Sequence, residues 1–249
     1  MTKLALVTGA GSGIGEAIAR MLAEENYRLI LNGRRKDRLE KLAAELSVEC
    51  FILPMDIRKR SEVEAAIAGL PQAWKGIDVL VNNAGLAAGL SSFENGDLDH
   101  WDRMVDTNVK GLLYVSRLVV PLMIAHGKGH VINISSIAGK EVYPNGNVYC
   151  ATKHAVDALT RSMRIDLAKY PIKVSGINPG AVETEFSLVR FDGDAEKAKK
   201  VYDGFENLVA GDIAETARFI LSRPEHVTIN DITIMPTAQP SVGIIHRKV

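Results

Sequence analysis

Short apolar segments alternate with amphipathic segments along almost the whole chain, and this alternation limits the folds available to it. The apolar segments have the length of buried strands and occupy residues 4–7, 28–32, 51–54, 79–82, 131–135, 174–178 and 232–235. Between them, apolar residues recur at helical spacing over residues 14–22, 39–46, 59–68, 98–125, 150–168 and 213–221. Strands separated by helices need crossover connections, and crossovers produce a parallel sheet that is covered on both faces.

This pattern predicts an α/β fold with one doubly wound, Rossmann-like domain over residues 1–249, in which helices cover both faces of a seven-stranded parallel sheet. In such sheets, ligands bind beyond the carboxyl ends of the strands, near the point where the strand order reverses. One segment departs from the alternation. Residues 184–208 mix large apolar and charged side chains and are too long for a tight connection. We interpret this segment as a movable substrate lid with a helical piece, and the alternative is a surface loop packed on the core.

Charge and cysteine content argue against several classes of protein. The 30 basic and 30 acidic residues cancel, so no overall positive field favours nucleic acid, and no apolar run of membrane-spanning length is evident. Cys50 and Cys150 lie far apart and the 6 histidines make no metal-ligand grouping, so no metal site is expected. Because the sequence shows no export signal, we expect a cytoplasmic protein with a small-molecule substrate and with neither nucleic acid nor membrane as a partner.

A glycine-rich turn follows the first apolar segment, with Gly9, Gly13 and Gly15 in the order T-G-x-x-x-G-x-G. Glycines here permit positive φ and close approach to a pyrophosphate, whose charge is favoured by the free amides at the start of a helix. As an isolated string the motif is weak, since glycine-rich turns also occur in simple loops. Its place between a strand and a helix makes it a predicted dinucleotide-binding turn.

The end of the second predicted strand indicates which dinucleotide binds. Rossmann domains that select NAD carry an acid about 20 residues beyond the glycines, where it accepts hydrogen bonds from the ribose hydroxyls. Arg35 stands at that place in this chain, next to Arg34, and two guanidinium groups suit the 2′-phosphate of NADP. Asp37 keeps NAD open as the alternative, because a small backbone shift would bring its carboxylate to the ribose.

Two further strand ends carry residues that fit the adenosine half of the cofactor. Asp56, just after the third strand, could accept from the adenine amino group, and the alternative is that it caps the following helix. Residues 82–85, Asn-Asn-Ala-Gly, end the fourth strand with small side chains and amides. This composition suits backbone that passes close to a flat ring, although turn chemistry alone also explains it.

Ser136, Tyr149 and Lys153 form the candidate catalytic set. Tyr149 and Lys153 are four residues apart on one helix face, and Ser136 lies at the end of the fifth strand, so all three can converge at the carboxyl edge of the sheet. A phenol exchanges its proton at neutral pH only if positive charge stabilises its anion, and Lys153 can supply that charge. On this interpretation Tyr149 is the general acid and base, Ser136 hydrogen-bonds the substrate oxygen, and a nicotinamide carries the hydride. Each residue alone could be a turn, packing or surface residue, so the prediction depends on their combination with the glycine turn.

Taken together, the glycine turn, residues 82–85, the candidate catalytic set and the Asn-Pro-Gly at 178–180 resemble the short-chain dehydrogenase/reductase family along nearly the entire chain. The resemblance implies a fourth catalytic residue, Asn108, which holds a water of the proton relay from within a distorted helix. It also implies frequent homotetramers, paired through the long helices that carry Asn108 and Tyr149. The residues expected to bind NADP are Gly9, Ser12, Gly13, Ile14, Gly15, Arg34, Arg35, Asp56, Ile57, Asn83, Ala84, Gly85, Tyr149, Lys153, Pro179, Gly180, Val182 and Thr184.

A narrower resemblance concerns the substrate. Residues 32–35, 146–153, 184–191 and 193–194 are similar to the NADP-dependent 3-hydroxy acid dehydrogenase group, whose members oxidise serine, allo-threonine and related acids. A carboxylate substrate needs a cation, and Arg190 in the lid is the candidate because a guanidinium can bind a carboxylate through two parallel hydrogen bonds. Glu141, Glu183 and Glu185 nearby oppose an anionic substrate unless they point away. The alternatives are a broad carbonyl reductase and a non-catalytic protein that senses NADPH.

Overall fold

A computed structural model describes residues 2–248. Its strands are β1 (Leu4–Val7), β2 (Arg28–Gly33), β3 (Cys50–Pro54), β4 (Val79–Asn82), β5 (Gly129–Ile134), β6 (Ile172–Pro179), β7 (Val182–Glu183), β8 (Leu208–Val209) and β9 (Asp231–Ile234). Within the described residues, seven of these strands form one sheet in the order β3-β2-β1-β4-β5-β6-β9, and all neighbours are parallel. The seven predicted strands are therefore confirmed.

Helices cover both faces of this sheet. They are α1 (Gly13–Glu24), α2 (Lys36–Glu45), α3 (Arg60–Ala68), α4 (Leu98–Val105), α5 (Leu112–His126), α6 (Asn147–Leu167), α7 (Phe186–Arg190), α8 (Ala195–Lys200) and α9 (Ala210–Leu221). On one face α1 and α9 bury Ile18 and Ile213 against the strands. On the other face α3 and α5 bury Val63 and Val119. Burial on both sides explains why the strands read as continuous apolar runs and not as alternating ones.

The strand order reverses between β1 and β4. The chain moves outward from β1 to β2 and β3, then returns to β4 on the other side of β1 and continues outward to β9. This reversal opens a crevice at the carboxyl ends of β1 and β4, where doubly wound sheets bind their ligands. The glycine turn and residues 82–85 border that crevice, and Ser136 follows the next strand, β5.

Residues 184–208 contain two short helices, α7 and α8, where the sequence predicted a helical piece. At the base of this segment β7 and β8 pair in parallel, with Val182 opposite Leu208. The sequence did not predict this pair, because two residues are too few to show a period. The guanidinium of Arg247 lies 5.2 Å from the ring centre of Phe205 and donates to the carbonyl of Val201 at 3.1 Å. The movement of the lid stays a prediction.

A π-helical turn at Asp106–Gly111 joins α4 to α5 and makes one helix over Leu98–His126. By length and composition this helix could cross a membrane, which corrects the expectation that the chain has no apolar run of that length. Core helices of soluble proteins share this length and composition. Here Val115, Val119 and Met123 are buried against the sheet, which accounts for the apolar composition of that side.

Candidate active site

The glycine turn joins β1 to α1, as predicted. Gly9 and Gly13 have φ angles of +66° and +55°, in the left-handed region that residues with side chains rarely adopt. Ser12 is the N-cap of α1, so the unpaired amides at the start of this helix lie at the crevice. These amides and the positive end of the helix dipole favour an anionic phosphate.

Gly15 meets a different constraint. A Cβ at this position would lie 2.3 Å from the carbonyl oxygen of Gly9 and 2.4 Å from Asn83 Nδ2, so no side chain fits. Asn83 Nδ2 donates to the carbonyl oxygens of Thr8, at 2.9 Å, and Gly9, at 3.3 Å. Thr8 Oγ1 accepts from the amides of Asn83 and Ala84 at 3.0 Å each. The end of β4 therefore fixes the shape of the glycine turn, a role that sequence reasoning did not assign to it.

Arg35 extends from the end of β2 to the start of α1. Its Nη2 donates to Ser12 Oγ at 3.2 Å, so the guanidinium lies beside the phosphate-binding turn. The same nitrogen lies 3.3 Å from Glu185 Oε2, a carboxylate of the lid that Arg38 binds more closely, at 2.7 Å. Arg34 also lines the crevice. Arg34 and Arg35 thus both lie at the cleft, and their binding of a 2′-phosphate stays a prediction.

Asp56 does not cap the following helix, since the N-cap of α3 is Lys59. Its carboxylate accepts from the Arg58 amide at 3.0 Å and from the Arg58 guanidinium through both oxygens. Burial favours the neutral acid, but the bonds from Arg58 outweigh it and lower the pKa of Asp56. A role in binding adenine stays a prediction. Asp37 lies in the first turn of α2, where the helix dipole favours an acid.

One continuous cleft runs from these arginines to the candidate catalytic residues. Of the residues expected to bind NADP, Gly15 packs behind the turn, and those lining the cleft are Gly9, Ser12, Gly13, Ile14, Arg34, Arg35, Asp56, Ile57, Asn83, Ala84, Gly85, Tyr149, Lys153, Pro179, Gly180, Val182 and Thr184. The lining also includes Arg58, Phe186 and Val189, which sequence reasoning did not single out as cofactor ligands. Over residues 2–248, no group of three His, Cys, Asp or Glu side chains could hold a metal ion.

Ser136 and Lys153 enter the cleft from β5 and α6. Ser136 Oγ accepts from the Ala138 amide at 3.1 Å, and its contact with the Pro179 carbonyl is long, at 3.5 Å. Such a weak bond leaves the hydroxyl able to turn to a substrate oxygen. Lys153 is buried, and its Nζ donates to the carbonyl of Ile134 at 3.0 Å. Burial lowers the pKa of Lys153 to about 8.

Tyr149 is buried one helical turn before Lys153. Burial raises the pKa of its phenol above the ordinary value, while the charge of Arg190 and the polar Ser136 hydroxyl oppose the rise. The guanidinium of Arg190 lies 5.1 Å from the centre of the Tyr149 ring. Sequence reasoning assigned the stabilising charge to Lys153. That role of Lys153, one helical turn away, stays a prediction. The charge of Arg190 also favours the phenolate, but burial outweighs it, so the phenol keeps its proton at neutral pH.

Asn108 lies in the π-helical turn and is 2% exposed. Its Nδ2 donates to the Leu86 carbonyl at 2.8 Å and to Thr152 Oγ1 at 3.0 Å, and its Oδ1 accepts from the Leu86 amide at 2.8 Å. Thr152 Oγ1 in turn donates to the carbonyl of Tyr149 at 2.8 Å. Asn108 therefore connects the distorted helix to the turn of α6 that carries Tyr149. Both hydrogens of its amide are used, so any relay water must accept from another group.

Arg190 ends α7 and lies against the ring of Tyr149, although it is not among the residues that line the cleft. Its Nη2 donates to the hydroxyl of Tyr143 at 3.0 Å, and its guanidinium lies 5.3 Å from the ring centre of Phe186. Its Nε is buried and has no acceptor among the described residues. Sequence reasoning missed Tyr143, because nothing in its spacing distinguishes a loop tyrosine from one that holds an arginine at a site.

The crevice position, together with the relatives of this chain, identifies an NADP-dependent oxidoreductase that acts on hydroxyl groups. The chain belongs to the short chain dehydrogenase family, whose model matches residues 3–194. The NADP-dependent 3-hydroxy acid dehydrogenase YdfG of Salmonella typhi is 44% identical over 246 residues, covering 98% of this chain and 99% of that protein. The serine 3-dehydrogenase of Agrobacterium fabrum is 41% identical over 243 residues, covering 98% and 97%.

A solved structure agrees with the fold over almost the whole chain. The closed form of serine dehydrogenase complexed with NADP+ matches with a TM-score of 0.94 at 42% identity, covering 98% of this chain and 100% of that one. The expected family, the resemblance to its 3-hydroxy acid dehydrogenase group, the Rossmann-like fold and NADP as the cofactor are therefore confirmed.

Proposed function

We propose that this enzyme interconverts a small 3-hydroxy acid and its 3-oxo acid, with Tyr149 as the general acid and base. NADP, when bound, would supply the hydride chemistry at the carbinol carbon. In oxidation Tyr149 removes the hydroxyl proton, and in reduction it donates that proton to the carbonyl oxygen. Ser136 donates to the same oxygen in both directions. The names of two relatives, a 3-hydroxy acid dehydrogenase and a serine 3-dehydrogenase, support this substrate class.

The buried phenol needs cations when it gives up its proton, because burial raises its pKa. Arg190 lies against its ring, and Lys153 stands one turn further along α6. With a pKa of about 8, Lys153 is mostly charged at neutral pH. Both cations stabilise the phenolate, which accepts the substrate proton in oxidation and forms when the phenol donates its proton in reduction. We assign Asn108 to the proton relay as the residue that fixes the helix turn behind Tyr149.

The observation that carries the substrate assignment is the position of Arg190. Its guanidinium packs on the ring of Tyr149, and Tyr143 uses only one of its nitrogens. The buried Nε has no acceptor among residues 2–248, and a buried donor without a partner is costly unless a ligand supplies one. A carboxylate two bonds from the carbinol carbon would satisfy it while the hydroxyl reaches Tyr149.

Glu141, Glu183 and Glu185 would oppose an anionic substrate only if their carboxylates were free and faced it. Glu141 Oε2 accepts from the Val242 amide at 2.9 Å. Glu185 binds Arg38 at 2.7 Å, and Glu183 is exposed in β7. Glu185 lines the cleft, but its charge is paired with Arg38, and the charge next to Tyr149 is that of Arg190.

Steady-state rates with NADP test the substrate class. We expect turnover with at least one of serine, allo-threonine, 3-hydroxyisobutyrate and 3-hydroxypropionate, measured as NADPH absorbance. No turnover with any of the four acids, together with rapid reduction of an uncharged ketone, would reject the assignment and identify a broad carbonyl reductase.

The change Arg190→Met tests the carboxylate contact. We expect kcat/KM for the preferred acid to fall roughly ten- to a hundredfold, because hydrogen bonds between charged groups contribute about 1.5–3 kcal/mol. The methyl ester of the same acid should lose less, because it loses only the effect of the Arg190 charge on Tyr149, and Arg190→Lys should recover part of the rate with the acid. An equal loss for acid and ester would contradict the contact.

We further propose that the enzyme is a cytoplasmic homotetramer that pairs through the surfaces of α5 and α6. The resemblance to the family supports this assembly. The structure adds that both helices present apolar side chains to solvent, Leu113 at 38% and Ile165 at 77% exposure.

A further inference from the structure

Glu185 connects the lid to the arginines at the start of the cleft. Both of its carboxylate oxygens accept from Arg38 Nη1, at 2.7 and 2.8 Å, and Oε2 also accepts from Arg35 Nη2 at 3.3 Å. Bonds from Arg38 and the charges of both arginines lower the pKa of Glu185, so it is a carboxylate at neutral pH. It lines the same cleft as Arg35.

Arg35 has a second use in this protein. Its Nη2 also donates to Ser12 Oγ at 3.2 Å, which holds the guanidinium at the N-terminus of α1, beside the glycine turn. The 2′-phosphate of NADP carries up to two negative charges, and it would need this guanidinium as a partner. The phosphate and the Glu185 carboxylate therefore require the same donor, and they repel each other if both are close to it.

We propose that Glu185 weakens the binding of NADP by competing with its 2′-phosphate for the Arg35 guanidinium, and thereby limits the preference of the enzyme for NADP over NAD. NAD has no phosphate at this position, so the competition acts on NADP alone. Arg38 binds Glu185 at the shorter distances and holds it when the phosphate takes Arg35. The lid then stays connected to α2 with either cofactor.

The size of the effect follows from the exposure of the three side chains. Arg35, Arg38 and Glu185 are 49%, 38% and 44% exposed, so solvent screens their charges. Ion pairs of this kind contribute little, and their removal changes an equilibrium by roughly two- to fivefold. The effect should therefore be modest and should shrink as the salt concentration rises.

Isothermal titration of the full-length protein tests the proposal with four ligands: NADP, NAD, 2′,5′-ADP and 5′-AMP. In Glu185→Gln we expect NADP and 2′,5′-ADP to bind roughly two- to fivefold more tightly at low salt, with the difference reduced at high salt. NAD and 5′-AMP should bind as in the parent. Because only binding is measured, the result does not depend on the substrate proposal above.

The matched control is Glu183→Gln, which removes the same charge two residues away, on the exposed side of β7. This variant should leave the NADP and NAD constants as they are. The proposal is overturned if Glu185→Gln leaves NADP binding unchanged or weaker, if NAD tightens equally, or if the control tightens NADP by the same factor. The unchanged binding of NAD and 5′-AMP also shows that the variant is folded.

Discussion

At the scale of single residues, the site buries two ionisable side chains, Tyr149 and Lys153, and burial disfavours the charged form of each. Burial raises the pKa of Tyr149 and lowers the pKa of Lys153 to about 8. Buried ionisable groups of this kind reduce stability, and they are common at sites that transfer protons. Apolar side chains would pack here at a lower cost, so this pair indicates a catalytic role for the two residues.

Lys153→Met should make the protein more stable at neutral pH. The pKa of Lys153 is about 8 in the folded protein and 10.5 ordinarily, so charging this residue costs folding free energy below about pH 8. That cost disappears as the pH rises from about 8 to 10.5. We expect a gain of roughly 1–2 kcal/mol at pH 7, after the loss of the bond to Ile134 is subtracted, and a smaller gain at high pH.

Urea unfolding of both proteins over this pH range measures the effect, and NADP-linked turnover of the variant should be lost. The prediction is contradicted if the variant is less stable than the parent at pH 7, or if the difference in unfolding free energy does not change with pH. Either result would show that the charge of Lys153 does not destabilise the fold.

At the scale of elements, the turn between β1 and α1 and the end of β4 act as one unit. Gly15 packs so closely on Gly9 and Asn83 that a methyl group has no room. Asn83 and Thr8 then connect the turn to β4 through four hydrogen bonds. The phosphate-binding amides are therefore positioned by tertiary contacts as well as by glycine conformation.

Gly15→Ala should disrupt this unit, and Gly11→Ala is its matched control. The added methyl at Gly15 would lie 2.3 Å from the Gly9 oxygen, whereas at Gly11 the nearest atom, Arg38 Cβ, is 3.5 Å away. We expect Gly15→Ala to lose about 2–3 kcal/mol of stability and most NADPH affinity, and Gly11→Ala to change stability by about 0.5 kcal/mol or less. Urea midpoints and NADPH fluorescence measure both. Equal behaviour of the two variants would contradict the packing argument.

The sequence predicted those elements whose signal is local. Buried parallel strands are continuous apolar runs, so residues 79–82 and 4–7 were located to the residue as β4 and β1. The pair of β7 and β8 was missed because its strands are too short to show a period. The π-helical turn that carries Asn108 followed only from the resemblance to a family, since nothing in its apolar surroundings marks a change of helix type.

For the site, too, the sequence predicted the positions that follow from local signals and missed those that depend on tertiary contacts. Residues that follow strand ends, such as Ser136 and Arg35, could be placed because the topology gathers strand ends at one edge. The contacts of Glu185 and Tyr143 could not be placed, because they depend on how the lid folds back over the cleft. The same limit explains why the packing of Arg190 on the ring of Tyr149 was not predicted.

At the scale of the whole molecule, large apolar side chains are exposed on the surface of the single chain. Ile165 on α6 is 77% exposed and Leu113 on α5 is 38% exposed, on the two long helices that also carry the site. Pairing of these helices between subunits would bury such residues and would also support the helix turns behind Tyr149.

Ile165→Asp should therefore shift the assembly to a smaller species, because a charge would be buried in the subunit contact. Sedimentation velocity should show a tetramer for the parent and a dimer or monomer for the variant, with an unchanged circular dichroism spectrum. Val142→Asp, at a residue that is 73% exposed and outside both helices, is the control and should remain tetrameric. A monomeric parent, or a tetrameric Ile165→Asp, would contradict this surface as the contact.

The role of Tyr149 as general acid and base is tested most directly by the Tyr149→Phe variant. Its NADPH dissociation constant and its turnover number are measured together. The change removes one oxygen and leaves the ring against Arg190 and Phe186. We predict NADPH affinity within roughly twofold of the parent and turnover lower by about 10²- to 10⁴-fold, the range for loss of a general acid or base. Turnover close to that of the parent, with NADPH still bound, would show that another group transfers the proton.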